Sequence, residues 1–166
     1  DALIGEDLER IDLTALIQSY LNNLNVVHPE AHFIFQGTTS PIHVMVSDFR
    51  IEQMLDKLVD NALDFASPDS PIVLMMLLSA KVVEFSLTNS GATIPTDMLE
   101  AVFDSMISIR PGNPDNRLHF GMGLHVVRVI AEHHGGYVSI ENVKEPDGVK
   151  VSVNLPLAGE SSTQGI

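Results

Sequence analysis

The 166-residue chain is the size of one ordinary domain, and 45% apolar residues with 5% aromatics describe a folded core rather than a disordered tail. Nine Lys and Arg against 22 Asp and Glu leave a net charge of −13, which repels phosphate backbones and anionic headgroups, so nucleic acid and direct membrane contact are both disfavoured. Without cysteine there is no disulfide frame and no thiolate metal site, and the composition suits a reducing compartment.

Leu13, Leu16, Ile17, Tyr20, Leu21 and Leu24 recur at helical spacing behind Asp12 as N-cap, which predicts an amphipathic helix of about three turns. Two short strands, 32–36 and 42–46, flank the polar stretch 37–41 and read as a hairpin. Ser47 caps a second helix to about Ala66, with Ile51, Met54, Leu55, Leu58, Ala62 and Leu63 inward and Gln53, Lys57, Asp60, Asn61 and Asp64 on the other face. After a turn at 67–71, strands 72–79 and 82–88 form a second hairpin, and a loop opens at Asn89. A short helix, 96–103, precedes a stretch at 107–120 without regular structure, of a length usual for lids. A third helix follows Gly121-Met122-Gly123, carries Leu124, Val127, Ile130, Ala131 and His134 on one side, and stops at Gly135-Gly136. Strands 137–141 and 149–155 and a polar tail from Ala158 close the chain.

This order predicts an α+β fold, a two-layer α/β sandwich in which helices cover one face of a largely antiparallel sheet. The longest wholly apolar run, 72–78, is far short of the roughly 20 residues that span a bilayer. The start at Asp1, with no basic stretch ahead of an apolar one, reads as a piece of a longer protein whose membrane anchor would lie upstream.

A strongly acidic chain that handles an anion must do so locally, through a metal ion, backbone N–H groups or a few placed cations. Three places offer this. Asn61 is a mediocre mid-helix residue whose side-chain oxygen is a hard ligand suited to Mg²⁺. Residues 88–95, with Asn89 and Gly91 directly after an apolar strand, place a polar side chain where a ligand edge can meet the backbone, or else form a plain turn. Gly121 and Gly123 open a helix whose free N–H groups and positive dipole end attract phosphate. His133-His134 are adjacent on a helix and diverge by about 100°, which favours capping and packing over a shared metal.

In this order and spacing the pieces resemble the ATP-binding catalytic domain of sensor histidine kinases, within the superfamily that also holds gyrase, the Hsp90 chaperones and the MutL repair proteins. The resemblance spans about residues 11–157. Residues 50–62 are similar to the N box and Asn89-Ser90-Gly91-Ala92-Thr93-Ile94-Pro95 to the first glycine box. Val102-Phe103-Asp104-Ser105-Met106 resembles the F box, Gly121-Met122-Gly123-Leu124-His125-Val126-Val127 the second glycine box, and His134-Gly135-Gly136 the usual end of that helix. The run 103–110, with the Asn-type first glycine box, is also similar to a proteobacterial subgroup that accompanies a dedicated sortase system.

The resemblance implies a Bergerat ATP-binding fold with ATP and Mg²⁺ as cofactors. It makes Asn61 the metal ligand, Asn89 the partner of the adenine amino group, and Gly91 the point of close approach to the base. Gly121, Met122, Gly123 and Leu124 would form the hinge and phosphate-facing turn of the lid, with Asp64, Phe65, Thr93 and Ile94 lining the cofactor. Arg110 and Arg117, two of only nine cations, are candidates for phosphate contacts; Asn61, Lys57 and Arg110 make up the candidate catalytic set. Residues 1–10 would be a remnant of the linker from a dimerisation domain, 11–157 the catalytic domain and 158–166 a disordered tail.

Asn89 stands where the family has Asp, so the bond to adenine loses its charge assistance. Thr93 replaces a common second Gly, and His119-Phe120 a small or hydroxyl pair. These departures leave open a degenerate nucleotide-binding or regulatory module with little ATP affinity. The hydrolysing branches carry a Glu four residues before the metal Asn as general base; here that residue is Lys57, which favours transfer to an imidazole, a nucleophile that needs no such base. None of the seven histidines is followed by an acidic residue, so the phosphoacceptor is expected on a separate dimerisation domain of the same kinase. The implied partners are that domain and a response regulator, and the implied location of the parent protein is the cytoplasmic side of the inner membrane.

Overall fold

A computed structural model describes residues 7–99, 101–103, 108–109, 118–119 and 123–159. In chain order the elements are β1 (Glu9–Asp12), α1 (Leu13–Val27), β2 (His32–Gly37), β3 (His43–Val46), α2 (Asp48–Phe65), β4 (Pro71–Leu78), β5 (Val82–Ser90), β6 (Ser108–Ile109), β7 (Leu118–His119), α3 (Gly123–His133), β8 (Tyr137–Val143) and β9 (Gly148–Pro156). The main sheet has the order β2-β4-β5-β9-β8; only β2 and β4 run parallel. One buried core joins the three helices to this sheet, as the two-layer reading expects.

Strand β5 shows why the helices lie where they do. Val83, Phe85, Leu87 and Asn89 alternate with Val82, Glu84 and Thr88, and the first set is buried. The row continues across the ladders through Leu74 and Ile72 on β4 and Val149, Val151 and Val153 on β9. A period of two on the strands meets a period of 3.6 on α2, where Ile51, Met54, Leu55, Leu58, Ala62 and Phe65 are buried. Both expected N-caps form: Asp12 accepts the Ala15 N–H at 3.1 Å, and Ser47 the Arg50 N–H at 3.4 Å.

Several expectations need correction. Residues 32–36 and 42–46 do not form a hairpin: β2 pairs with β4 and β3 pairs antiparallel with β1, a strand the sequence did not announce. The polar linker is drawn away from a tight turn, because Leu13 donates to the Ile42 carbonyl at 2.7 Å and the Thr14 hydroxyl to the Ser40 carbonyl at 2.8 Å. Asn89 and Ser90 stay in β5, since both still pair with β9. The short helix expected at 96–103 is two 3-10 turns, Thr96–Met98 and Ala101–Phe103. Within the stretch read as structureless, β6 and β7 pair antiparallel. The expected tail at 160–166 lies outside the described residues.

The end of α3 is tied to the start of α2 by one buried imidazole. The Ser47 N–H donates to His134 Nε2 at 3.2 Å, so Nδ1 carries the proton and donates to the Ile130 carbonyl at 2.8 Å. The ring stands edge-on to His133 at 5.4 Å between centroids, a packing role as the sequence suggested. Gly135, at φ +84°, then ends the helix, and the Gly136 N–H returns to the Ala131 carbonyl at 2.8 Å. Among the described residues no helix is long and apolar enough to cross a membrane.

On the opposite side of α2, the Tyr20 hydroxyl donates to Asp56 Oδ1 at 2.6 Å. Burial, this hydrogen bond and the neighbouring charges of Asp56, Asp60 and Glu52 hold the phenol well above its ordinary pKa. Because the folded state keeps the proton more tightly, Tyr20 contributes its full stability below the unfolded value of about 10 and loses it as pH rises further. Tyr20→Phe should therefore lower stability at neutral pH by about 1 kcal/mol. In denaturant melts above about pH 10, the difference between the two proteins should shrink.

Candidate functional site

Antiparallel packing brings two of the expected features to one level. From the Ser47–His134 contact, Asn61 lies fourteen residues along α2 and Gly123 eleven residues back along α3. At a rise of 1.5 Å per residue these are about 21 and 16 Å, so Asn61 and the start of α3 lie at similar levels along two packed helices. Asn61 and Lys57 are half-buried on one face of α2, Asp64 is exposed one turn on, and Phe65 is buried. Lys57 also lines the cleft between α1 and α2, beside Tyr20, Asp56 and Asp60.

At the C-terminal end of α2 the chain meets β5. Asn89 occupies the last helix-facing position of that strand and is 2% exposed, with Ile72 and Val149 as its cross-strand neighbours. Its Nδ2 donates to the Ser90 carbonyl at a long 3.4 Å, and no donor among the described residues reaches its Oδ1. A buried acceptor without a partner costs roughly 1–3 kcal/mol unless a ligand supplies the missing hydrogen bond. This atom is therefore suited to an exocyclic amino group.

The next residues are clamped from several sides. The Ser67 N–H donates to the Ser90 carbonyl at 2.7 Å, Ala66 bridges Gly91, and the Gly91 N–H donates to the Asp147 carbonyl at 2.8 Å. Gly91 has φ +146°, and a Cβ there would lie 2.2 Å from the Phe65 carbonyl oxygen, so only glycine lets strand end and helix end touch. Gly148 closes the other side, where a Cβ would fall 1.9 Å from the Asn89 carbonyl oxygen. Thr93 is exposed, whereas Ile94 turns into the core at 2% exposure. On α3, Leu124 is buried and Gly123 faces open space, with nothing within 4 Å of where a Cβ would stand. His125 Nδ1 lies 3.4 Å from the Phe103 carbonyl, joining the start of α3 to the F-box segment.

Arg110, Arg117, Gly121 and Met122 lie outside the described residues. The structure joins Phe65 and Gly91 at the end of β5 beside Asn89 and places Asn61 one turn back on α2, while Lys57 lines the neighbouring cleft. The sequence reading missed the supports of this loop: Ala66, Ser67, Asn142, Asp147 and Gly148. Asn142 carried a signal, since Asn is disfavoured within a strand and here falls in the same row as Val138 and Ile140.

Asn61 fits Mg²⁺ in the manner usual for nucleotide sites, where one or two protein oxygens complement the substrate's phosphates. Among the described residues no three His, Asp or Glu side chains gather to hold a metal unaided.

A family model described as the histidine kinase-, DNA gyrase B- and HSP90-like ATPase matches residues 47–159, and the chain belongs to that family. Among curated proteins it is 26% identical over 136 residues to the signal transduction histidine-protein kinase ArlS of Staphylococcus epidermidis, covering 82% of this chain and 30% of that protein. It is 34% identical over 116 residues to the adaptive-response sensory kinase SasA of Parasynechococcus marenigrum, again 30% of the relative's length. The chain thus spans under a third of both relatives. Among solved structures, the catalytic domain of histidine kinase ThkA superposes with a TM-score of 0.76 at 25% identity, over 93% of this chain and all of that one. That match extends beyond the limits of the family model. Full-length ShkA in complex with AMPPNP shares the fold, with a TM-score of 0.75 at 19% identity over 96% of this chain and 33% of that one.

Two substitutions test the geometry. Gly91→Ala should destabilise the domain by at least about 1 kcal/mol, because both its φ and its Cβ contact are unfavourable; a denaturant melt reads this directly. Asn89→Asp places a carboxylate in the buried position. It should lower the melting temperature of the free protein yet tighten binding of an adenine nucleotide about tenfold in calorimetry, through a charge-assisted bond.

Proposed function

We propose that this chain is the Mg·ATP-binding catalytic domain of a two-component sensor histidine kinase. The single observation that carries the reading is the buried Oδ1 of Asn89 at the end of β5, without a donor among the described residues, beside a glycine that holds the strand end against α2. The relatives' names support the kinase branch, and the AMPPNP complex of ShkA supports a nucleotide as ligand of the shared fold.

In this reading Asn89 Oδ1 accepts from the adenine amino group, and the Gly91 backbone leaves room for the edge of the base. Asn61 offers its carboxamide oxygen to Mg²⁺, which when bound neutralises and orients the β- and γ-phosphates. The N–H groups at the start of α3 face the phosphates with the positive end of the helix dipole. Arg110 and Arg117 add local positive charge in a chain that is otherwise strongly acidic.

The acceptor is an imidazole on a separate dimerisation domain of the same kinase. Its nitrogen lone pair bonds the γ-phosphorus as the bond from that phosphorus to the β–γ bridging oxygen breaks, and ADP departs with the electron pair. No carboxylate stands four residues before Asn61; Lys57 is there, which fits transfer to an imidazole better than activation of water. A response regulator follows as the next acceptor, by analogy with the ThkA complex with its response regulator TrrA. The parent protein would hold this domain at the cytoplasmic side of the inner membrane.

Calorimetric titration with a non-hydrolysable ATP analogue tests this. Binding in the micromolar to sub-millimolar range is expected, weakening roughly tenfold or more without Mg²⁺ or in Asn61→Ala. No binding at millimolar nucleotide by a folded sample would instead support a degenerate module.

A further inference from the structure

We infer that Asn142 is a positioning residue for the nucleotide loop, a role that rests on reading residues 89–95 as the adenine side of the site. Asn142 lies on β8, far from the motifs that define the site in sequence. Its carboxamide is used at both ends on one distant residue: the Ile94 N–H donates to Asn142 Oδ1 at 2.9 Å, and Asn142 Nδ2 donates to the Ile94 carbonyl at 2.7 Å. One side chain thereby replaces a pair of strand hydrogen bonds.

The placement of this clip explains its purpose. Asn89 pairs with Val149 on β9, and Val149 pairs with Asn142 on β8, so the two carboxamides belong to one cross-strand row. With strands about 4.8 Å apart, their strands are separated by about 10 Å at this level. The loop leaves β5 after Ser90, passes the end of β9 where Gly148 abuts Asn89, and reaches β8 at Ile94. Its first anchor is the Gly91 N–H on the Asp147 carbonyl, and its second is Asn142. Among the described residues, no other hydrogen bond from outside the loop holds positions 92–94. Asn142 therefore fixes where Ala92 and Thr93 hang relative to the Asn89 carboxamide, without touching the ligand.

The two ends of the carboxamide can be separated by substitution. Asn142→Asp keeps volume and the acceptor for the Ile94 N–H but loses the donor; Asn142→Ala loses both. The full 166-residue chain and both variants are titrated with a non-hydrolysable ATP analogue and, separately, with inorganic triphosphate, and their melting temperatures are recorded. Affinity for the ATP analogue should fall about tenfold in Asn142→Ala and less in Asn142→Asp, while affinity for triphosphate stays within twofold of the parent. A role limited to general stability would lower both ligands together or neither, and either result overturns the proposal. Should Asn142→Ala not fold, Asn142→Asp carries the same comparison. Triphosphate binding without preference for the ATP analogue in the unsubstituted chain would overturn the adenine reading itself, a result distinct from equal losses in the variants.

Discussion

The alternation of β5 is the constraint on which the remaining structure depends. This strand lies at the centre of the five-stranded sheet, and its buried row leaves one face for helices to cover. Val83 and Phe85 are fully buried and Leu87 nearly so, and burial of such side chains contributes on the order of 1.5–3 kcal/mol each. The row does not end where the apolar residues do. Its last position, Asn89, carries a polar group into the same buried layer, so the force that builds the core also desolvates the acceptor that the proposed site would use. A shift of one residue in register would turn Asn89 to the open face and Thr88 inward, losing core and site together.

The second requirement is registry between two helices that never share a loop. The His134 imidazole accepts the N–H at the cap of α2 and donates to the last turn of α3, so it serves both helix ends in one neutral tautomer. Fixing that end sets the level of the other, where Asn61 and the start of α3 stand at similar distances along the two packed helices. The geometry suits an acidic chain. With a net charge of −13 a general positive field is not available, and an anion has to be held by helix N–H groups, a metal and individual cations.

Rigid backbone contacts surround the strand end after Asn89. Gly91 and Gly148 permit approaches that no side chain would allow, the Asp147 carbonyl takes the Gly91 N–H, and Asn142 takes both backbone groups of Ile94. Three separate parts of the chain thus converge on one loop. The loop itself has almost no regular structure, which is how a binding loop stays accessible while its ends stay fixed.

Local patterns were legible without coordinates wherever the physics is local. Helical spacing from Leu13 to Leu24, the caps Asp12 and Ser47, the inward stripe of α2, the hairpin of β4 and β5 and the Gly135 stop all depend on residues within a few positions of one another. Asn89 and Gly91 stood out as a polar residue and a glycine directly after an apolar strand and Asn61 as a poor helix former on the polar face of α2, and it was their combined order and spacing that carried the resemblance. What the sequence alone could not decide is which distant partner satisfies a given edge. The strand at β2 went to β4 and not to β3, because hydrogen bonds from α1 hold the intervening linker. Asn142 gained its role only when β8 and β9 brought it to Ile94, 48 residues away. Side-chain period and capping are encoded one turn at a time, whereas pairing and support of the site are settled by the competition among all buried groups for partners, which exists only once the chain has closed on itself.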